Sequence, residues 1–238
     1  MELVALQLKT SKNFTKNLQK LVKHIKNQEE NSFILAPELF LTGYSYDKLE
    51  EASKFSQKAL KTLKFLSNEK TIALTLTVKE NDNYLNMLHI FYKGKIIHTQ
   101  AKHKLFTLNE EQKFFKKGDL KDIKPIKCDT LKVGSLICFE LRFIELWERL
   151  KGCDIILVPA MWGKLRKSNY EALCQALAVA NQCYVIASDS SNENMAKSSS
   201  IITPFGEVVK NDTKKAIKAL FDPKEIKKMR RYLPVGIK

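Results

Sequence analysis

Two spacings of hydrophobic residues alternate along the chain. Short continuous runs, which are typical of buried strands, cover residues 2–8, 32–36, 71–78, 133–137, 154–159 and 184–188. Between and after these runs, apolar residues recur every three or four positions, which predicts amphipathic helices near residues 14–25, 55–66, 143–150, 170–177 and 223–229. Shorter strands are predicted around a hairpin turn at Lys93-Gly94 and again after residue 199. This order predicts an α/β fold in which helices cover a mixed sheet.

The chain shows no boundary that would divide this pattern. No low-complexity linker or short repeat interrupts the 238 residues, so we expect a single domain over residues 1–238. No apolar run approaches the roughly 20 residues that a membrane span requires. The first ten residues, MELVALQLKT, lack a basic leader followed by an apolar block, so we expect no signal peptide.

The cysteines and the net charge indicate which cellular compartment and which partners to expect. The five cysteines, at positions 128, 138, 153, 174 and 183, form no CxxC pair. This odd number predicts neither a complete disulfide set nor a zinc site, and it favours the reducing cytoplasm. The formal net charge of +15 suggests nucleic-acid binding. However, the lysines are scattered over nearly every segment and no aromatic-basic RNA motif is present, so we expect a lysine-rich surface and no nucleic-acid or membrane partner.

Cys138 lies where the strand pattern of residues 133–137 gives way to helical spacing. A side chain at such a turn can stand clear of the sheet and face the amide groups of a helix N-terminus. Those amides and the helix dipole favour a thiolate and could stabilise an oxyanion. Cys138 is therefore a candidate nucleophile. The competing interpretation is a packed core cysteine, because free cysteines are among the most buried residues.

Two further candidates follow the ends of other predicted strands. Glu38 comes after residues 32–36, and Lys102 comes after the second hairpin strand. Strand ends of α/β folds collect at one rim, so these side chains can meet Cys138 there. Glu38 could take the thiol proton and Lys102 could stabilise an oxyanion. The competing interpretations are a solvated carboxylate at Glu38, a surface ammonium at Lys102, and Lys104 in place of Lys102.

Several blocks of the sequence, in order, resemble the nitrilase (carbon–nitrogen hydrolase) superfamily. They are PEL-x₂-TGY around Glu38, K-x₃-F from Lys102, E-x₂-FF-x₂-GD from Glu111, ICFELRF-x-EL around Cys138, ILVPA at residues 156–160, QA-x-A-x₂-NQ-x-YV from Gln175, and S-x-I-x₂-P-x-G-x-V from Ser199. Each block alone is a weak signal, but their order and spacing together are highly specific.

The resemblance implies an αββα sandwich and a Glu–Lys–Cys triad at Glu38, Lys102 and Cys138. It also implies that Glu111, for which Glu110 is a rival, holds Lys102 and helps to orient the substrate nitrogen. The backbone N–H of Phe139 would bind the oxyanion. The implied reaction proceeds through a thioester, with no metal or organic cofactor. A homodimer or larger homo-oligomer would form through the helices near residues 143–150 and 170–181.

Three further residues are candidates for substrate recognition. Arg142 lies four residues after Cys138, Trp162 follows the ILVPA block, and Tyr44 closes the first block. Arg142 could bind a substrate carboxylate through two parallel hydrogen bonds, and Trp162 could form a wall of the pocket. A structural salt bridge for the arginine and a core position for the tryptophan are equally compatible with the sequence.

The sequence therefore predicts a cysteine-dependent hydrolase of non-peptide C–N bonds. The pattern VPA-x-W followed by NQ-x-YV looks most like the small bacterial ω-amidase-like branch, so we expect an amidase that releases ammonia from a small linear amide, one that could carry a carboxylate. Hydrolysis of an N-carbamoyl amine or acid is the main competing function. A protease-like pairing of His103 with Cys138 lacks an orienting residue. The non-enzymatic alternative is a degenerate member that acts as a binding or scaffold module.

Overall fold

The computed structural model describes residues 1–237, in which helices and strands follow the predicted order. The helices in these residues are Phe14–Lys26 (α1), Leu49–Leu66 (α2), Ile144–Glu148 (α3), Lys167–Asn181 (α4) and Pro223–Tyr232 (α5). The strands are Glu2–Leu6 (β1), Phe33–Leu35 (β2), Thr71–Glu80 (β3), Asn83–Tyr92 (β4), Lys95–Ala101 (β5), Ile126–Cys128 (β6), Leu131–Ser135 (β7), Ile155–Pro159 (β8), Tyr184–Ser188 (β9), Ser200–Ile202 (β10), Val208–Lys210 (β11) and Ala216–Leu220 (β12).

The strands form two six-stranded sheets that pack face to face. Their orders are β12-β1-β2-β3-β4-β5 and β11-β10-β9-β8-β7-β6, with three parallel strands in each (β1 to β3 and β7 to β9). In the first sheet, Val4 and Ile34 pack with α1 and α2, whereas their neighbours Leu3 and Phe33 pack with the second sheet. Helix α4 supplies Tyr170 to the core on the other side of the second sheet. The fold is therefore the expected αββα sandwich.

Local signals in the sequence account for several element boundaries. The side chain of Asn13 accepts a hydrogen bond of 2.9 Å from the Lys16 N–H and so caps α1. Lys93 and Gly94 both have positive φ (48° and 74°), the combination that a two-residue type I′ hairpin turn requires. Gly118 has no room for a side chain, because a Cβ there would lie 2.1 Å from the Ala101 carbonyl oxygen. This close contact holds the loop after Lys102 against the end of β5.

The structure differs from the predicted pattern around Cys138 and before it. Strand β7 ends at Ser135, and a 3₁₀ helix at Cys138–Arg142 precedes the short α3. The two helices are separate because Phe143 between them has extended backbone, with φ −104° and ψ 95°. The predicted helix over residues 143–150 is therefore shorter than expected. Strand β6, a three-residue edge strand, was not predicted.

The strands that precede the candidate residues end at one rim of the sandwich. The Glu38 N–H, just after β2, donates a 3.2 Å hydrogen bond to the carbonyl of Ala160, just after β8. This bond joins the two sheets at that rim. No helix in residues 1–237 combines the length and the apolar character needed to cross a bilayer.

Candidate active site

Lys102 is the centre of a buried cluster of charges at this rim. Its Nζ lies 2.8 Å from Oε1 of Glu38 and 2.7 Å from Oε1 of Glu111, and the three side chains are at most 1% exposed. Burial alone would lower the pKa of Lys102, but Glu38, Cys138 and Glu111 together raise it above its ordinary value. The lysine is therefore an ammonium, and the hydroxyl of Tyr44 accepts a further hydrogen bond of 3.2 Å from it.

The two oxygens of Glu38 have different surroundings. Oε1 accepts hydrogen bonds from Lys102 and, at 2.9 Å, from Nδ2 of Asn86. Oε2 is buried and has no hydrogen-bond partner within residues 1–237. A buried carboxylate oxygen without a donor is costly, so this oxygen is open to a hydrogen-bond donor that comes near. Glu38 is thus fixed through one oxygen and able to act as a base through the other.

Cys138 has the strained backbone of a nucleophile turn. Its φ is +53°, in the left-handed region that residues with a Cβ seldom adopt. Burial, and then Glu38, raise the pKa of the thiol well above its ordinary value, although Lys102 and the Met161 N–H act in the opposite direction. The sequence predicts a thiolate at a helix N-terminus. The structure instead favours a neutral thiol, because the site is buried and only a short 3₁₀ helix follows. Such a thiol requires a base.

Glu111 joins Lys102 to the loop that follows it. Its Oε2 accepts a hydrogen bond of 2.7 Å from the Phe106 N–H, while Oε1 pairs with Lys102. The rival Glu110 is exposed and pairs with Lys113 at 2.5 Å. The structure thus brings Glu111, and not Glu110, to the cluster.

Lys104 and His103, which rivalled Lys102 and Glu38 as partners of the nucleophile, are engaged elsewhere. Lys104 Nζ pairs with Glu145 at 3.2 Å, and the 30% exposed lysine also lies over the ring of Phe143. Nδ1 of His103 is hydrogen-bonded to the carbonyl oxygen of Gly118 at 2.8 Å. The geometry therefore supports neither Lys104 in place of Lys102 nor a Cys–His pair.

A small pocket opens from Cys138 towards the surface. Its cavity of about 30 Å³ holds roughly one water molecule and is lined, besides Cys138, by Phe106, Phe139, Arg142, Met161, Trp162 and Arg166. The Arg142 guanidinium lies 4.7 Å from the centre of the Trp162 ring, and Arg166 lies 5.3 Å from that of Phe106. Both arginines therefore stack on aromatic rings at the mouth, which is a favourable cation–π geometry.

The predicted recognition residues are all near this cluster or pocket. Tyr44 contacts Lys102, and Phe139, directly after Cys138, packs its ring 5.0 Å from that of Phe106. The backbone N–H of Trp162 donates to Oδ1 of Asp189 at 2.9 Å, and burial raises the pKa of that carboxyl to about 7.

No group of three or more His, Cys, Asp or Glu side chains in residues 1–237 is arranged to bind a metal ion.

Sequence reasoning missed two residues of this region. Asn86, which orients Glu38, is a buried polar residue inside the apolar strand β4, and that mismatch was a usable signal. Arg166 ends a 3₁₀ helix at Lys164–Arg166 that the hydrophobic pattern does not predict.

Comparison with known proteins finds related sequences and a related fold. The sequence profile of the carbon–nitrogen hydrolases matches residues 3–231. The chain is 28% identical over 236 residues to 2-oxoglutaramate amidase of Bacillus subtilis, covering 93% of this chain and 90% of the relative. It is 30% identical over 233 residues to deaminated glutathione amidase of Dictyostelium discoideum, covering 85% and 80%. The crystal structure of Saccharomyces cerevisiae Nit3, a member of the nitrilase superfamily, superposes with a TM-score of 0.85 at 24% identity, covering 99% of this chain and 95% of Nit3.

Proposed function

Because the chain belongs to the carbon–nitrogen hydrolase family, we propose that it is an amidase that hydrolyses a small linear amide through a thioester on Cys138. In this proposal Glu38 is the general base, Lys102 and the Phe139 N–H bind the oxyanion, and Glu111 holds Lys102. The relationship to 2-oxoglutaramate amidase supports a terminal amide as the reacting group.

The first half-reaction forms the thioester. The Cys138 proton moves to Oε2 of Glu38 as the sulfur attacks the amide carbon, and the carbonyl oxygen becomes an oxyanion beside Lys102. When this tetrahedral intermediate collapses, the C–N bond breaks and the nitrogen takes the proton from Glu38. Ammonia leaves, and the acyl group stays on the sulfur.

The second half-reaction uses the same groups with water. Glu38 takes a proton from a water molecule, whose oxygen attacks the thioester carbon and forms a second oxyanion. The C–S bond then breaks, the carboxylic acid leaves, and the proton on Glu38 returns to the sulfur. Over both halves, one amide and one water give one acid and one ammonia.

The proposal depends most on the different surroundings of the two Glu38 oxygens. Oε1 of Glu38 is fixed by Lys102 and Asn86, while Oε2 has no partner within residues 1–237 and the Cys138 thiol requires a base. An ordinary structural ion pair would use both oxygens, since unpaired buried acceptors are costly. The unpaired oxygen is what a proton-transfer role needs.

The pocket favours an amide that also carries a carboxylate. Arg142 and Arg166 line it together with Cys138, and none of the lining residues is acidic. A guanidinium can bind a carboxylate through two parallel hydrogen bonds. We therefore assign substrate recognition to Arg142 and Arg166, with Trp162 as a wall of the pocket and Tyr44 in contact with Lys102.

A panel of amides tests the proposal. The protein is incubated with 2-oxoglutaramate, succinamate, uncharged butanamide, deaminated glutathione and an N-carbamoyl amino acid, and the ammonia and acid products are quantified. We expect ammonia chiefly from the carboxylate-bearing amides and, after an acid quench, an acyl adduct on the peptide that contains Cys138.

Matched variants test whether Cys138 is responsible for the ammonia release. Cys138→Ala should abolish turnover, whereas Cys128→Ala, a buried cysteine outside the pocket, should leave turnover unchanged. Turnover retained in Cys138→Ala would contradict the mechanism. Preferred hydrolysis of the N-carbamoyl compound would support the alternative substrate, and binding without hydrolysis would support a scaffold role.

We also propose that the protein is a cytoplasmic homodimer. All five cysteines are free, which suits a reducing compartment. Ile144 on α3 and Val179 on α4 expose apolar side chains (62% and 41%), which favours these helices as the contact between two copies. Light scattering after gel filtration should give twice the chain mass, and Ile144→Lys should lower it.

A further inference from the structure

Glu140 is a buried carboxylate that joins the two chain segments carrying Lys102 and Cys138. Its Oε1 accepts a hydrogen bond of 2.5 Å from the N–H of His103, the residue after Lys102. Its Oε2 accepts one of 2.6 Å from the N–H of Ile137, the residue before Cys138. The side chain is fully buried, so water does not compete for either bond. One side chain thus spans the end of β5 and the turn after β7.

We propose that Glu140 is a positioning residue, and that its ionised carboxylate keeps Lys102 and Cys138 in the relative positions that the reaction requires. The inference rests on the proposed function, because it assigns Glu140 a part in the same reaction. Glu140 itself does not need to touch substrate. It acts through the backbone of its two neighbours.

The bonds to Glu140 require acceptors on both of its oxygens. A protonated carboxyl carries its hydrogen on one oxygen, and that oxygen then faces an N–H as a donor. A glutamine at this position has the same conflict, since its NH₂ would face one of the two N–H groups. Glutamine therefore breaks one bond of the bridge and leaves a buried donor without a partner, whereas protonation weakens one bond, because a hydroxyl oxygen is a poorer acceptor than a carboxylate oxygen. A displacement of about 1 Å between reacting groups can cost roughly 100-fold in rate.

Burial, opposed by the surrounding N–H groups and charges, brings the pKa of Glu140 to near neutral. Burial raises its pKa to about 7, against the lowering effect of the Ile137 and His103 N–H groups and of the Lys102 ammonium. The Lys104 N–H, 3.4 Å from Oε1, acts in the same direction, while the ammonium of Lys104 pairs with Glu145. The imidazole of His103 is hydrogen-bonded to the carbonyl oxygen of Gly118, and Glu38 and Glu111 both pair with Lys102. Protonation of Glu140 below neutral pH should therefore weaken the bridge and lower the rate.

The first arm of the test needs no substrate. Backbone amide signals of His103 and Ile137 are followed by ¹⁵N NMR between pH 5 and pH 8.5 in the wild-type chain. We expect the two signals to titrate together with one midpoint near 7, and this titration to be absent in Glu140→Gln. If neither amide titrates and Glu140→Gln leaves both signals at their wild-type positions, the proposal is overturned, whether or not the protein hydrolyses an amide.

The second arm measures rates with the best amide of the panel. We expect Glu140→Gln to lower kcat about 100-fold at pH 8 with little change in KM, and to remove the acid limb that wild type shows at the NMR midpoint. Glu140→Asp should recover part of kcat. The control Glu51→Gln, an exposed carboxylate on α2, should match wild type.

The two experiments distinguish a failure of the Glu140 proposal from a failure of the proposed function. A Glu140→Gln kcat within twofold of wild type overturns the proposal, as does a wild-type acid limb more than one pH unit from the amide midpoint. If Glu140→Gln does not fold, the wild-type titration and the kcat of Glu140→Asp decide it. A chain without amidase activity refutes the proposed function, and the amide titration then decides the role of Glu140 alone.

Discussion

Lys102 Nζ lies 2.8 Å from Oε1 of Glu38, and the second oxygen of that carboxylate has no hydrogen-bond partner within residues 1–237. One side chain thus does two things, since it stabilises a buried ammonium and keeps an acceptor free. Both tasks depend on Asn86, whose amide shares Oε1 with Lys102 and fixes the rotation of the carboxylate.

Glu38→Gln should remove the general base and keep the fold. The glutamine oxygen can still accept from Lys102, but its NH₂ cannot take a proton from Cys138. We expect turnover to fall by about 10²–10⁴, the usual contribution of a positioned acid or base. Ammonia release measures this, with Glu50→Gln, an exposed carboxylate on α2, as the control. A loss below twofold would mean that another group accepts the thiol proton.

Lys102→Ala should cost both activity and stability. It removes the proposed oxyanion donor, and it leaves Glu38 and Glu111 buried without their cation. We expect a rate loss of at least about 10² and a loss of about 3–5 kcal/mol in the free energy of unfolding. Lys104→Ala, which removes only a partly exposed ion pair, should cost less than about 1 kcal/mol. Urea titrations and ammonia release measure the two effects, and equal results for both variants would contradict the assignment.

Asp189→Asn should change the pH dependence of stability. Burial raises the pKa of Asp189 to about 7 in the folded chain, from 3.8, so the folded state holds the proton more tightly than the unfolded state. The stabilising contribution to the free energy of unfolding is on the order of 4 kcal/mol. It is complete below about pH 4 and is lost as pH rises through 7. Relative to the variant, wild type should therefore lose free energy of unfolding between pH 4 and pH 8.

A direct comparison of the two chains isolates this effect. His89, whose pKa burial lowers to about 4, acts in the opposite direction, but it is present in both chains and cancels. Urea titrations at four pH values provide the measurement. A difference between wild type and Asp189→Asn that is constant with pH would show that Asp189 is ionised throughout.

Arg142→Met and Arg166→Met should change specificity more than chemistry. Each variant keeps an apolar stem against the neighbouring ring and removes the guanidinium. We expect KM for a carboxylate-bearing amide to rise about 10-fold or more with kcat nearly unchanged, which is the pattern of lost uniform binding. KM for butanamide should not change. If KM rises equally for charged and neutral amides, the arginines shape the pocket without binding a carboxylate.

The sequence predicts the position of the cluster better than its electrostatics. Glu38, Lys102 and Cys138 follow strands that periodicity identifies. Strands β2 and β7 lie in the parallel centre of their sheets, and β5, which is antiparallel to β4, runs in the same direction as β3, so the three strands end at one rim. The φ of +53° at Cys138 could not be predicted, because contacts far apart in sequence impose that strain.

Long-range contacts also explain why the hydrogen bonds of Asn86 and Glu140 could not be predicted. Asn86 and Glu38 are 48 positions apart, and Glu140 and His103 are 37 apart. Neither pair leaves a periodic signal, since each depends on how separate loops pack. The same holds for the raised pKa of Cys138, which follows from burial and not from the local helix signal that favoured a thiolate.

Alkylation of the cysteines tests the resting state of the site. Cys138 is 8% exposed, whereas Cys128 is 3% exposed and the other three are fully buried, so iodoacetamide should label Cys138 first. The reaction should be slower than with free cysteine, because the thiol is neutral at rest and the pocket of about 30 Å³ must widen to admit the reagent. Peptide mass mapping measures the order, and the urea-unfolded chain, in which all five thiols should react alike, is the control. Earlier labelling of another cysteine would contradict an accessible nucleophile at residue 138.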